Sequence, residues 1–244
     1  MINMKIISKI KSSLISYENI NRVINLELLN KYARSVDFTL VDAGCGSGEN
    51  LMDIILNYPK AKIIGIDNYK PDLKNAKKRF LDKAEFLHGD CLNMDIKSET
   101  IDIVLSNQVI EHIARYEKYL FEIKRILKSD GILILSTPNF HNPKNFLLKL
   151  FFKKPIMRWE NIQNLPPEKF RGHVKEFFEE ELITLFQKYN FKLLDSQPIT
   201  PKPSLKGNVP FILYRFLEYI FYIITKPFVK KGYGKNHNMI FKKI

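Results

Sequence analysis

Residues 40–50 read LVDAGCGSGEN, and this stretch restricts the fold more than any other. An apolar run at 38–41 meets Asp42, glycine then takes every second position at 44, 46 and 48, and Leu51, Met52, Ile54 and Ile55 recur at helical spacing. Strand, tight loop and helix start are predicted in that order, the seed of an α/β layer. Alternating glycines allow positive φ and a close approach of backbone to ligand, while the first N–H groups of the following helix face the same space. The loop is therefore expected to hold a nucleotide-like ligand. A dinucleotide fingerprint wants glycine three places after the second glycine, where this chain has Glu49. A phosphate loop wants Lys and then Ser or Thr after its last glycine, where this chain has Glu49 and Asn50. Asp42 and Glu49 also set negative charge on either side of the loop, which repels a pyrophosphate and suits a cationic ligand.

S-adenosylmethionine, with its sulfonium and ammonium, is such a ligand. An acidic residue followed by Gly-x-Gly-x-Gly, here Asp42, Gly44, Gly46 and Gly48 with Cys45 between them, resembles the first motif of the class I S-adenosylmethionine-dependent methyltransferases. Later motifs of that family follow in order up to Pro138. One glycine loop is a soft signal, whereas ordered motifs over about a hundred residues are a specific one. The plainer alternative is a Rossmann-like domain that binds something else.

Downstream, KIIGI at 62–66 reads as a second strand that closes on Asp67, with Asn68 next to it. A carboxylate at the carboxyl end of that strand can accept both ribose hydroxyls, which makes Asp67 a cofactor candidate. A helix over 71–83 with Pro71 at its start leads to a strand at 84–87 and then to His88, Gly89, Asp90 and Cys91. The resemblance implies that Asp90 meets the adenine amine and that the Cys91 N–H meets the ring; a surface turn is the alternative for Asp90. IDIVL at 101–105 is a fourth strand, and Asn107 and Gln108 follow it at the switch region of the sheet, where ligands gather. The Pro-Pro-aromatic run of nucleic-acid amino-methyltransferases is missing there. Instead Glu111-His112 resembles the small-molecule and quinone O-methyltransferase branch, which implies a histidine near the methyl acceptor and makes His112 a candidate base. A helix over 115–128, a turn at 129–131 and a fifth strand at 132–136 bring His141 to the same rim as a second candidate base.

Residues 142–178 are expected to form a lid or acceptor pocket, the family pattern lapsing over 142–171, with Trp159, Arg171 and His173 as acceptor-binding candidates. The run from Gly172 to Phe177 resembles the Gly-His-x-x-x-Phe segment of small-molecule methyltransferases. A helix at 179–189 and strands at 191–196 and 238–242 complete the chain.

The 244 residues, 45% hydrophobic and 27% charged, suffice for one domain with a modest appendage. That domain divides into a leading helix at 17–36, a cofactor core at 37–141, the insertion, and an apolar amphipathic helix at 208–229. The expected fold is a seven-stranded, mostly parallel Rossmann-like sheet flanked by helices, its last strand antiparallel. The amino-terminal stretch lacks the form of a secretory signal and both cysteines lie in cofactor loops, so a cytoplasmic protein is expected.

The expected reaction is in-line methyl transfer to an oxygen of a small-molecule, lipid or glycan acceptor, for which no metal is needed. Alternatives are a non-catalytic cofactor-binding scaffold and an RNA methyltransferase. A net charge of +13 raises nucleic acid as a partner. An anionic membrane surface accounts for the charge without nucleic acid, because PFILYRFLEYIFYIITK at 210–226 is too interrupted by Arg215 and Glu218 to span a bilayer but has the pattern of an interfacial helix. Its apolar face is equally compatible with packing on the core or against a second subunit; the oligomeric state is unknown.

Overall fold

A computed structural model describes residues 17–140, 173–197 and 236–244, together with positions 220 and 223. Its elements are α1 (Tyr17–Tyr32), β1 (Thr39–Ala43), α2 (Met52–Asn57), β2 (Lys62–Asp67), α3 (Lys70–Phe80), β3 (Glu85–His88), β4 (Ile101–Asn107), α4 (Tyr116–Ile126), β5 (Leu127–Pro138), α5 (Glu179–Lys188), β6 (Phe191–Ser196) and β7 (Asn236–Lys243). The seven strands lie in the order β3-β2-β1-β4-β5-β7-β6. Strands β1 to β5 pair in parallel, and β7 runs antiparallel between β5 and β6, as the sequence predicts. Strand order reverses between β1 and β4, which opens a crevice at the carboxyl ends of these two strands.

The side chains of the central strands alternate between two cores, so near-continuous apolar strands are buried on both faces. Leu40, Ile103, Leu105 and Ile134 face Leu28 and Leu29 of α1, Ile54 of α2 and Leu73, Ala76 and Phe80 of α3. Val41, Val104, Leu133 and Leu135 face Tyr119, Leu120 and Ile123 of α4 and Leu182 and Phe186 of α5. The leading helix therefore packs on the domain, and Arg22 fixes it further by an ion pair of 2.8 Å to Asp53. Arg125 of α4 fastens the β3–β4 connection by donating to the Ile96 and Met94 carbonyls at 2.7 and 3.0 Å while it grips Glu122.

Three boundaries differ from expectation. Strand β1 extends through Asp42 to Ala43, with Asp42 opposite Gly65, so the first acidic residue belongs to the sheet and not to the loop. Helix α3 ends at Phe80 because Leu81 takes φ 46°, a left-handed conformation that breaks helical hydrogen bonding. Helix α4 ends at Ile126 instead of 128, and the turn expected at 129–131 is an irregularity inside β5: Leu127 pairs with Ile101 and Ile132 with Ile103. The left-handed φ of 66° at Asp130 supplies the reversal, and Lys242 and Arg34 pair with its carboxylate. Residues 142–172 of the expected lid and most of the apolar helix at 208–229 lie outside the described residues.

Candidate active site

The loop after β1 is tied to the end of β2. Gly44 and Cys45 donate their N–H groups to the Ile66 carbonyl at 2.8 and 3.0 Å, and Gly46 donates to Asp67 Oδ2 at 2.8 Å. All three glycines have positive φ, at 79°, 52° and 76°. Crowding adds a second requirement at two of them: a Cβ at Gly44 would stand 2.5 Å from Val109 Cγ2, and one at Gly48 2.7 Å from Phe80 Cε2. At Gly46 the nearest atom, Asp72 Oδ2, would be 4.0 Å away, so space remains there for a ligand to approach the backbone.

Asp42 has no exposure, and neither of its carboxylate oxygens has a hydrogen-bond partner. Burial first, and then the charge of Asp67, push its pKa up to about 8. An unpartnered buried carboxylate costs free energy, which a cationic or hydrogen-bonding ligand removes. Asp67 therefore gives the ligand-free crevice its negative character, and Asp42 adds to it once a cationic ligand draws off its proton. Glu49, expected to contribute, is exposed and turns to Arg79 at 3.4 Å.

Asp67 Oδ1 also accepts the Tyr69 N–H at 2.8 Å, so the expected ribose acceptor doubles as the clamp of its own loop. Each oxygen can accept a second hydrogen bond. Asn68, beside it, is exposed, and its carbonyl meets His88 Nε2. Asp90 is exposed and its Oδ1 accepts the Leu92 N–H at 2.8 Å, so it forms the surface turn weighed against the adenine role while keeping its other oxygen available. Cys91 is half-buried with its thiol pushed up to about 12, and burial raises Cys45 further; both are neutral thiols, unsuited to act as nucleophiles.

At the end of β4, Asn107 is 7% exposed and neither its amide nitrogen nor its oxygen has a partner. Gln108 takes a left-handed φ of 54°, held by its N–H to the Ser136 carbonyl at 2.8 Å. A strained non-glycine residue beside an unpaired buried amide marks the crevice as a ligand site. A separate concavity of about 510 Å³ along α3, lined by lysine stems, Leu73, Leu81 and His88, contains none of the predicted site residues.

Beyond β4 a short 3-10 turn, Ile110–His112, brings Glu111 and His112 to His173. The His112 and His173 rings stand edge to face with centroids 5.0 Å apart. Glu111 is fully buried; its Oε2 accepts the Thr137 hydroxyl at 2.9 Å, and its Oε1 has no partner. Burial is the main cause that raises its pKa to about 7. His173 Nδ1 meets Glu176 at 3.0 Å, which raises the imidazole pKa. Sequence reasoning singled out both histidines but missed Glu176 as the support of His173 and Thr137 as the support of Glu111. His141, Trp159 and Arg171 lie outside the described residues.

The residues present fit S-adenosylmethionine: a cation for Asp42, close backbone approach at Gly46 and a carboxylate at the end of β2. When bound, that cofactor supplies a methyl group already activated by a positive sulfur. Residues 35–187 match the family described as methyltransferase domain. The chain belongs to that family, as a class I S-adenosylmethionine-dependent methyltransferase. It is similar to an uncharacterized protein of Methanocaldococcus jannaschii, 31% identical over 206 residues that cover 84% of this chain and 75% of the relative. It is also 31% identical over 127 residues to a ubiquinone biosynthesis O-methyltransferase of Ruegeria, covering 49% of each, so the match spans about half of that relative. A small RNA 2'-O-methyltransferase of Arabidopsis thaliana is 33% identical over 152 residues, 57% of this chain and 16% of the relative. In fold the chain resembles a sarcosine dimethylglycine methyltransferase structure from Galdieria sulphuraria, with TM-score 0.63, 13% identity and coverage of 92% and 85%.

Proposed function

We propose that this methyltransferase acts on an oxygen of a small-molecule, lipid or glycan acceptor. The observation that carries the reading is the pair of imidazoles, His112 and His173, 5.0 Å apart at the carboxyl rim of the sheet. A hydroxyl acceptor must lose its proton as the methyl group arrives, and an imidazole is suited to take it near neutral pH. The similarity to a quinone O-methyltransferase supports the same acceptor atom. The test is methyl transfer from labelled S-adenosylmethionine to a panel of phenols, polyprenyl and glycan hydroxyls, amines and RNA. Label in a hydroxyl acceptor, with turnover that falls at least tenfold in His112→Ala while cofactor affinity holds, is the expected result. Label confined to amines would overturn it.

A second reading has a specific basis: the similarity to an RNA 2'-O-methyltransferase together with the +13 charge. It predicts label in RNA and binding that weakens steeply with salt. We also propose that the protein attaches to the inner face of an anionic membrane through residues 208–229. Among the described residues no helix is long and apolar enough to cross a bilayer. Ile220 and Ile223, one helical turn apart, are 40% and 53% exposed, which supports an unburied apolar face.

A further inference from the structure

Glu111, His112 and His173 offer ligand atoms that all lie within 4.8 Å of one another. The cluster is built from two pieces of chain far apart in sequence, and the backbone holds them together. The Glu111 carbonyl accepts the N–H groups of Val174 and Lys175 at 2.6 and 3.2 Å, and Phe140 donates to the Phe177 carbonyl at 3.0 Å. The segment that carries His173 is thus strapped beside the 3-10 turn that carries the other two donors.

We propose that Glu111, His112 and His173 form a binding site for a divalent first-row transition-metal ion such as Zn²⁺, Co²⁺ or Mn²⁺. Two imidazole nitrogens and one carboxylate oxygen make a donor set suited to these ions and a poor one for Ca²⁺ or Mg²⁺, which prefer all-oxygen shells.

Three further observations point to an ion. Glu111 is fully buried yet leaves Oε1 without a partner, and a cation supplies one. Two of the three ligands have supports of the form that metal sites use, in which a second group orients the ligand. Glu176 holds His173 Nδ1 at 3.0 Å, which leaves Nε2 as the ligating nitrogen, and the Thr137 hydroxyl fixes Glu111 Oε2 at 2.9 Å. Charge agrees as well: Glu111 and Glu176 together match a dication, and the neighbouring Lys175 turns its ammonium to Glu181 and to the Phe177 ring. Metal–ligand bonds of about 2.0–2.2 Å require the donor atoms to close in by about 1 Å. His112 and His173 are exposed, so adjustments of that size, with Glu176 following His173, leave the core undisturbed. Without an ion, burial lifts the Glu111 pKa to about 7, and a bound dication would reverse that shift.

Three protein donors leave coordination positions open, as catalytic sites do. An acceptor oxygen would fill one and would lose its proton more readily there, since the ligating imidazoles would no longer be available as bases; that consequence rests on the oxygen-acceptor reading above, and metal binding itself does not.

The test uses the full chain stripped with a chelator and titrated with Co²⁺ without any methyl acceptor. One Co²⁺ per chain is expected, with visible absorption typical of nitrogen donors, displaced by Zn²⁺ and not by Mg²⁺. Binding should weaken by roughly tenfold or more in Glu111→Gln and in His173→Ala, and by roughly ten- to hundredfold in Glu176→Gln. S-adenosylhomocysteine affinity, measured on each variant, reports that it is folded. Co²⁺ binding that is equally tight in a folded His112→Ala, His173→Ala double variant overturns the site. Should the variants not fold, X-ray absorption of the Zn²⁺-loaded wild type decides: scattering from two imidazoles supports the site, and an oxygen-only shell overturns it.

Discussion

At Asp42, burial holds the carboxyl protonated up to about pH 8, far above the ordinary value of 3.8. The folded state therefore keeps a proton that the unfolded chain has released, so this residue's contribution to stability falls as pH rises between those two values. A cationic ligand favours the ionised form, so the affinity for S-adenosylmethionine should rise with pH through the same upper limit, with proton release visible as a buffer-dependent binding heat. Asp42→Asn removes both effects. We expect a ligand-free protein that melts higher at pH 8, by about 2–4 °C for each kcal/mol gained, and whose cofactor affinity drops tenfold or more. Scanning and titration calorimetry check the two halves separately, and a variant that binds normally would remove Asp42 from the site. Asp67 behaves differently because its oxygens already serve Gly46 and Tyr69. Charge-assisted bonds of about 1.5–3 kcal/mol each are at stake, so Asp67→Ala should lose both loop stability and at least tenfold in cofactor affinity. Unchanged affinity by calorimetry would take the ribose role from it.

Each glycine of the loop after β1 has its own reason to be glycine, and substitution should separate the reasons. Gly46→Ala meets open space and bears only the left-handed cost, about 1–2 kcal/mol. Gly44→Ala adds a clash with Val109, for which overpacking adds about 1–3 kcal/mol. Shortening the neighbour in Gly44→Ala, Val109→Ala should recover part of that second loss. Urea titration of the two single variants and the double reads this directly, and a double variant no more stable than additivity predicts would refute the clash. The alternation of glycines was visible in sequence because turn chemistry is local. So were the strands, whose apolar runs need no partner to be recognised. The irregularity in β5 was hidden because Asp130 and Gly131 read as a connecting turn, and only pairing with β4 shows that the strand continues. Full burial of Asp42 was hidden for the same reason: a carboxylate beside glycines reads as loop until its register with Gly65 is known. Support of His173 by Glu176 and of Glu111 by Thr137 depends on the backbone strap between 111 and 174, a contact that no periodicity reports.

For the molecule as a whole, the open question is where a charge of +13 is used. Several described cations are committed within the fold: Arg22 to Asp53, Arg125 to Glu122, Lys128 to Asp102 and Lys243 to Glu99. In sequence, the flanks of 208–229 concentrate lysines, at 202, 206, 226, 230, 231 and 235, with almost no acidic neighbours. Lysines around an apolar stretch of helical periodicity are the composition of the interfacial anchor proposed above, in which each lysine near an anionic leaflet would add about 1 kcal/mol. RNA would use the same lysines but not the isoleucines exposed at 220 and 223. The two partners therefore predict different variants. With liposomes rich in anionic lipid the protein should co-sediment, and it should bind less to neutral ones and less again as salt rises. Leu217→Asp with Ile220→Asp should abolish sedimentation and leave any RNA binding intact, because it removes apolar contact without removing a lysine. Protein that stays in the supernatant with anionic liposomes, or a double variant that still sediments, would rule out this helix as the anchor and leave its apolar face to a second subunit or to the core.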